Sequence, residues 1–576
     1  MSNPKLVSIF VIYFLIFIGH NLNAQVVYEP VTNNPVYELL DELAALKVIT
    51  INSVVKPYSR VFIANKLNQA LENGQKLNKR QLDEVKFYLK DYSFEAGLNN
   101  NLINGMQDAR SRMQDIGYKM QDTGSAARSA ASCILHPASS NLNPISFRLN
   151  TNVFKLTIAP ALGARFMVNE NGNFLEVSGG GEVYGYLTKH IGYYINVKHL
   201  HQSEPLVNPV MLTLEEGKSW NYLGDGSVYN TEWRGGISAG WKWGDFGLYK
   251  DRPIWGNAVH SSNIMSGHAP SFPYIQLHLK PAKWIEFYSI TGFLQSNVVD
   301  SSRSSFSAGS EEIKYRRKYF SANFFTIIPW KGLDISVGNS IFWSDVFRVG
   351  YLMPFNLYKS VDQTLKGSLA YEGGINTNDD GHLFADISSR NIKHLNIYLG
   401  LWIDELQMAR FFKTNQHNLL SWKIGFSLFD LPVRNLSVTA EYLSTRPGTY
   451  DEYNPSNLYA NDNYSFGNYL RGDAWEIYFN LIYKPIRRLN LRASYDLAQR
   501  GGYIYMKDDL VTYPLAQNLT FNQSTIKFQG IYQITTNLSA SLGYTFNHYS
   551  GDIKFIPEIM HGNTNTFYAG IRLGLQ

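Results

Sequence analysis

From about residue 146 to the C-terminus, apolar and polar residues alternate at every second position, and this period of two constrains the chain more than any other feature. In "YKPIRRLNLRASYDL", residues 483 to 497, Leu489, Leu491, Ala493, Tyr495 and Leu497 share one side of an extended segment, while Asn490, Arg492, Ser494 and Asp496 share the other. Tyr193, Ile195 and Val197 alternate in the same way with Tyr194, Asn196 and Lys198. So do Leu538, Ala540, Leu542, Tyr544 and Phe546 with the residues between them, and the last segment places Phe567, Ala569, Ile571, Leu573 and Leu575 together.

Short connectors, often basic and containing Pro, separate these runs: "LKPAKWIEF" (279 to 287), "IIPWKGLDI" (327 to 335), "FDLPVRNLSV" (429 to 438), "IYKPIRRLNL" (482 to 491) and "YQITTNLSAS" (532 to 541). One period therefore holds two strands, one short turn and one long loop. Roughly 430 residues at roughly 50 per period make about 8 to 9 hairpins, or about 16 to 18 strands. A flat sheet of that size exposes long unpaired edges, and closing it on itself removes them. An apolar interior is excluded by the face that carries Asn490, Arg492, Asp496 and Arg572. In hydrocarbon an unpaired backbone amide costs several kcal/mol, and a closed barrel pairs them all. The expected fold is an all-β transmembrane barrel of about 16 to 18 antiparallel strands over residues 146–576, with lipid outside, water inside and Tyr and Trp girdles at the strand ends. A large soluble propeller or β-helix is the competing architecture, but four-stranded blades do not alternate short turns with long loops.

Composition fits this: 11 Trp, 38 Tyr and 33 Phe stand beside only 17% charged residues. At the N-terminus "LVSIFVIYFLIFI", residues 6 to 18, follows Lys5 and is too short for a comfortable helical span, so residues 1–24 read as a signal peptide cleaved after Ala24. No Cys lies at that point to accept a lipid. Loss of Lys5 lowers the net charge of +5 by one, too small a balance to imply a nucleic-acid partner. Cys133 is the only cysteine, which excludes an internal disulfide and reads as a packing residue. Residues 25–97 read as a small bundle of three helices, capped by Asn34 with Pro35, by Ser59 and by Asn78. Residues 98–145 are polar and read as one more helix or a linker.

The long connections carry the unusual residues, and in such barrels they reach the cell exterior or fold into the lumen. They span 203 to 233, 251 to 273, 344 to 367 and 444 to 469. Trp220, Tyr222, Trp255, Phe272, Tyr450, Tyr453, Tyr459 and Tyr464 lie there among Asn, Asp and Arg. Aromatic faces cover the apolar side of a sugar ring while amides, carboxylates and guanidinium groups meet its hydroxyls. The competing reading is that these rings pack the loops or belong to the outer girdle.

Enzymatic signals are weak. "EEGKSW" ends like a phosphate loop, but Leu212 occupies the required upstream glycine position. The chain has no HExxH and no GxSxG sequence. His260 and His268 share a loop without a third ligand. "NTNDDGHLFADI" begins like a calcium loop at Asn376, Asn378, Asp380 and Gly381, but Ile387 stands where a bidentate Glu belongs, so a turn is expected. No cofactor or metal is expected.

The stretch 249 to 279, with Asp251-Arg252, Trp255-Gly256, Ser262-Asn263 and a Pro-Ser-Phe-Pro ending at Pro273, resembles the Wzi-type capsule assembly family of outer-membrane proteins. "YELLDELAALKVI" and "KPYSRVFIANKL" near the N-terminus are similar to the helical start of its members. The resemblance covers most of the chain. It implies an 18-stranded barrel in the outer membrane with a helical bundle at its periplasmic mouth, and a non-enzymatic role in attaching surface polysaccharide. It also implies that residues 251 to 273 fold inward as a constriction in which Asp251 and Arg252 pair or address sugar hydroxyls and Trp255 stacks. Together these readings nominate Asp251, Arg252, Trp255, Asn263, Phe272, Trp220, Tyr450, Tyr453, Tyr459 and Tyr464 as glycan-binding candidates. The expected partners are surface polysaccharide, outer-membrane lipid and other envelope proteins, around a monomer. Two alternatives stand beside this: a porin-like channel plugged by the N-terminal region, and a structural part of a gliding or adhesion machine.

Overall fold

A computed structural model describes residues 26–96 and 146–574, apart from 152–153, 189, 308–309, 372–378, 407–408, 410–417, 453 and 503–514. The expected signal peptide, the 98–145 linker, Cys133, Tyr453, Asn376 and Asn378 lie outside the described residues.

Eighteen antiparallel strands form the barrel wall: β1 Phe154–Asn169, β2 Gly172–Leu187, β3 Ile191–Gln202, β4 Val228–Trp241, β5 Gly244–Asp251, β6 Phe272–Ala282, β7 Ile285–Val299, β8 Tyr315–Trp330, β9 Leu333–Ser344, β10 Asp380–Ser389, β11 Leu395–Glu405, β12 Leu419–Phe429, β13 Leu436–Thr445, β14 Ala474–Ile486, β15 Leu489–Gly501, β16 Leu519–Gln533, β17 Leu538–Gly551 and β18 Asn563–Leu573. Each pairs with its neighbours in sequence, and β18 closes on β1 with Phe567 opposite Val168 and Leu573 opposite Leu162. A short strand, Phe147–Asn150, continues that seam below the end of β18 by pairing with Lys155–Ile158. Closure satisfies the edge hydrogen bonds that an open sheet of this length would expose.

The alternation sets the two faces as expected. Leu162, Phe528, Leu542 and Phe567 are more than half exposed on the outer wall, a surface that belongs in hydrocarbon. Trp243, Trp284 and Trp330 stand exposed beside the short turns, where an interfacial girdle belongs. The calcium-like stretch runs straight into β10 at Asp380, and Ile387 points outward within it, so from Asp380 on it is a strand rather than a turn.

Three helices, α1 Val36–Ala45, α2 Arg60–Glu72 and α3 Lys79–Leu89, form a bundle around Leu39, Leu40, Leu43, Ile63, Leu67 and Val85. Two of the caps are those the sequence names, Ser59 accepting from the Phe62 amide and Asn78 forming a capping box with Gln81, whereas the first helix has Pro35 and not Asn34 at its N-cap. α1 begins one position after Pro35, with the Asn34 side chain accepting from the Val36 amide. The bundle sits at the mouth that carries the short turns, periplasmic by the convention of such barrels. There Arg80 reaches Asn435, Lys484 reaches Glu84, Tyr88 reaches Gln533, and Arg492 pairs with Glu38 at 2.5 Å.

Arg492, an inward polar residue of the 483–497 stretch, therefore meets a carboxylate of the bundle and not open water. The same holds higher up, where loops from the other mouth fill the lumen. The inward polarity is as the alternation predicts, but protein occupies much of the space expected to be water. Periodicity reports the polarity of a face and is blind to what satisfies it.

Candidate functional site

The β5–β6 connection, residues 252 to 271, enters the lumen from the long-loop mouth and meets the N-terminal region inside the barrel. Ile254–Trp255 pairs with Val55–Lys56 in a two-residue antiparallel ladder, and the Gly256 amide donates to the Val54 carbonyl at 3.1 Å. The Trp255 ring is fully buried, parallel to Phe324 at 5.3 Å and edge-on to Phe384. Gly256 follows with φ +109, and a Cβ there would lie 2.8 Å from the Ser262 hydroxyl, so both backbone and space require glycine.

Inward side chains of the wall hold this loop. Asp386 accepts from the Asn257 amide at 3.1 Å, and Glu441 accepts from the Val259 and His260 amides at 2.6 and 3.1 Å. The Asn263 side-chain amide donates to the Gly400 and Ser421 carbonyls at 3.1 and 3.0 Å. Lys423, fully buried, lies 2.9 Å from Glu441 and 3.2 Å from Glu476 and donates to the His260 carbonyl. The His260 ring stacks on Tyr478 at 3.7 Å, with Nε2 3.4 Å from Glu476 and 3.8 Å from Asp496. Burial alone would lower the His260 pKa, but these two carboxylates outweigh it and raise the value to about 9.

Three tyrosines of the 444–469 connection act through their hydroxyls. Tyr450 donates to the Asn263 carbonyl, Tyr459 to the Ile264 carbonyl at 2.8 Å and Tyr464 to the Lys218 carbonyl at 2.8 Å. Their rings pack with Trp402, Phe342, Phe466 and Phe272 into one buried cluster that also holds Trp255. With those faces covered, the rings rivet three loops together above the Val55–Trp255 ladder. Trp220 is half-buried beside them, and its indole N–H donates to the Val207 carbonyl at 2.6 Å. Asp251 is buried too; it accepts from the Tyr194 hydroxyl at 2.5 Å and from the Arg252 amide at 2.9 Å.

Above this plug the wall is lowered at one place. β4 pairs with β5 only up to Gly235 and Lys250, and β6 pairs with β7 only up to Tyr274 and Gly292. Asn230–Arg234 and Phe293–Val299 therefore rise past the β5–β6 ends as two sides of a window. Part of the exposed edge is satisfied by the 445–473 connection: the Gln295 amide donates to the Asn461 side chain at 2.8 Å, and the Asp462 amide donates to the Gln295 carbonyl at 3.1 Å.

Within this window lies a cavity of about 430 Å³, inside the usual range of small-ligand sites, roughly 300–1,000 Å³. Lys218, Asn230, Thr231, Glu232, Lys250, Arg252, Gln295 and Asn461 supply its polar lining, and Phe272, Phe293 and Leu294 its apolar lining. The Arg252 Nη2 donates to Glu232 at 2.9 Å and to the Gly217 carbonyl at 3.1 Å, and Nη1 lies 3.4 Å from Glu216. Its buried Nε and Nη1 have no hydrogen-bond partner among the described residues. Burial would raise the Glu216 carboxyl, but Arg252, Arg234 and Lys218 hold it well below the usual carboxylate range. Burial, together with the Arg252, Arg471 and Lys218 cations, lowers nearby His268 to about 3, so it is neutral.

Of the residues named from sequence, Arg252 and Phe272 line the cavity, while Trp255, Asn263, Tyr450, Tyr459 and Tyr464 build the plug beneath it. Lys218, Asn230, Glu232, Lys250, Gln295 and Asn461 escaped sequence reading. Asn230, Glu232, Lys250 and Gln295 lie toward strand ends and Lys218 and Asn461 within long loops, and only the relative heights of four strands and the course of two loops bring them together.

No protein-family model and no curated protein matches the sequence. Among solved structures the chain is similar to Wzi, an outer membrane protein involved in group 1 capsule assembly in Escherichia coli and described as a carbohydrate-binding β-barrel. The identity is 10% and the TM-score 0.55, over 96% of this chain and 99% of that one. Two further barrels, OpdP and OpdK from Pseudomonas aeruginosa, align over 73% of this chain and 90% and 98% of theirs, with identities of 10% and 8% and TM-scores of 0.39 and 0.41. The chain is an outer-membrane β-barrel with the Wzi fold.

Proposed function

We propose that the window cavity binds carbohydrate and that the protein is a non-enzymatic surface-polysaccharide binding and assembly factor. The observation that carries this reading is the cavity itself: amides, hydroxyls and opposite charges converge over an apolar floor at the cell-surface mouth, above a plugged lumen. Sugar rings ask for that mixture. The fold likeness to a carbohydrate-binding barrel points the same way. The aromatic loops contribute by shaping the floor and closing the lumen, and Phe272 is part of the cavity lining.

Filling the cavity tests this without disturbing the plug. Gln295→Trp and Asn230→Trp are expected to abolish retention on immobilised polysaccharide from the producing cells, while the heat-denaturation midpoint in detergent stays within a few degrees of the parent. Undiminished retention in both variants would refute the assignment.

A further inference from the structure

The outer wall carries one patch that a lipid-facing surface does not tolerate. On β7, β8 and β9 the outward positions fall in rows, since Ser289 faces Asn323, Asn323 faces Asn339, and Thr291 faces Ser321. Toward the short turns the next two rows are Phe287, Phe325 and Val337, then Ile285, Ile327 and Ile335. Val337 and Ile327 are about half exposed and mark the wall there as lipid-facing. A polar patch of Ser289, Thr291, Ser321, Asn323 and Asn339 thus lies on the outside of the barrel at membrane depth. All five are nevertheless buried.

Their cover is the start of the β9–β10 connection. After Ser344 the chain turns over the outside of the wall, and its contacts pass from the Tyr319–Trp343 row toward the short turns, as far as the row of Phe287. Phe347 meets Tyr319 at 5.3 Å, Tyr351 meets Trp343 at 4.8 Å, and Phe355 meets Phe287 at 4.7 Å. Phe355 thereby reaches the second row from the short turns. The Asn323 side chain donates to the Pro354 and Asn356 carbonyls at 3.0 and 2.8 Å, and Asn339 accepts from the Tyr358 amide at 2.9 Å. Asn356 in turn donates to the Gly350 carbonyl at 3.1 Å. Irregular backbone survives in hydrocarbon only when its polar groups are satisfied by protein, and the outward asparagines supply that satisfaction. The exposed side chains of the segment are Val346, Phe347, Val349, Met353, Phe355 and Leu357, all apolar, and the one charged side chain among them, Arg348, is mostly buried and paired with Asp379. The first charged residue after them, Lys359, lies beside Gly381 near the outer end of β10, where a lysine can reach the headgroups.

We infer that residues 346–357 form a membrane-embedded strap, a non-strand element whose apolar side contacts lipid acyl chains and whose polar side is clamped to the barrel wall by Asn323 and Asn339. The strap converts a polar stretch of wall into a lipid-compatible one and adds an acyl-contacting surface that no strand provides. It is independent of the carbohydrate reading.

Spin labels at Val349→Cys and Met353→Cys, each in a Cys133→Ser chain reconstituted in phospholipid vesicles, test this by collision with oxygen and with a water-soluble nickel chelate. Both labels are expected to favour oxygen over the chelate as strongly as a wall control at Leu383→Cys, and severalfold more than a loop control at Tyr222→Cys. Chelate access equal to that at Tyr222→Cys would place the segment in water and overturn the inference. Shielding from both reagents would also overturn it, because protein, a second copy or another chain, would then cover the face. In Asn323→Leu the label at Met353→Cys is expected to gain mobility, and unchanged mobility would refute the clamp.

Discussion

At the scale of the residue, the plug concentrates its stability in a few side chains whose environments allow no exchange. Trp255 is fully buried between Phe324 and Phe384, and Trp255→Ala removes a ring the surroundings cannot refill. Such truncations cost about 3–5 kcal/mol, and the expected outcome is a markedly lower heat-denaturation midpoint in detergent. Tyr459→Phe keeps the ring and loses only the bond to the Ile264 carbonyl. Its cost should be about 1 kcal/mol, and chemical denaturation of the two variants side by side checks the ordering. The reverse order would mean that the hydroxyl rivets and not the rings hold the loops. Sequence reading picked out these aromatics correctly as unusual, but it weighed their faces, which suit a sugar and suit each other equally well. Burial separates the two uses, and one sequence does not display burial for a loop.

At the scale of the element, the 252–271 loop is fastened through charge. His260 faces Glu476, Asp496 and Tyr478, while Lys423, Glu441 and Tyr469 complete its surroundings. Its pKa stands near 9, above the ordinary 6.5, so the protonated ring contributes stability fully below pH 6.5. That contribution fades as the pH rises through 9. The shift corresponds to about 3 kcal/mol. Hydrogen exchange of the 257–264 amides, corrected for the intrinsic rate, should be slow at pH 7 and clearly faster at pH 10. In His260→Gln the difference between the two pH values should vanish; a difference of the original size would assign the switch to another group. The strands to which this loop binds were legible because period two survives in β10 to β14, and the helices because their caps are local. The loop's course was not, since Asp386, Glu441 and Glu476 hold it from far along the chain, and their inward direction says only that each needs a partner.

At the scale of the whole molecule, two structures from opposite ends close one lumen. The bundle enters from the short-turn mouth and presents Val55 to Trp255, yet the loops above keep their own ties to the wall: Asn263 to β11 and β12, Asn257 to Asp386, and Glu441 to the amides of Val259 and His260. Removing residues 26–96 deletes the lower plug and leaves these ties intact. The intact protein is therefore expected to show no steady current in planar bilayers, and the 26–96 deletion at most brief, small openings. A stable ohmic current should require deletion of residues 256–268 as well, which frees the lumen from above. Steady conductance in the intact protein would instead favour transport through the barrel. Steady conductance in the single deletion would show that the upper loops depend on the Val55 ladder for their place, despite the side chains that bind them to the wall.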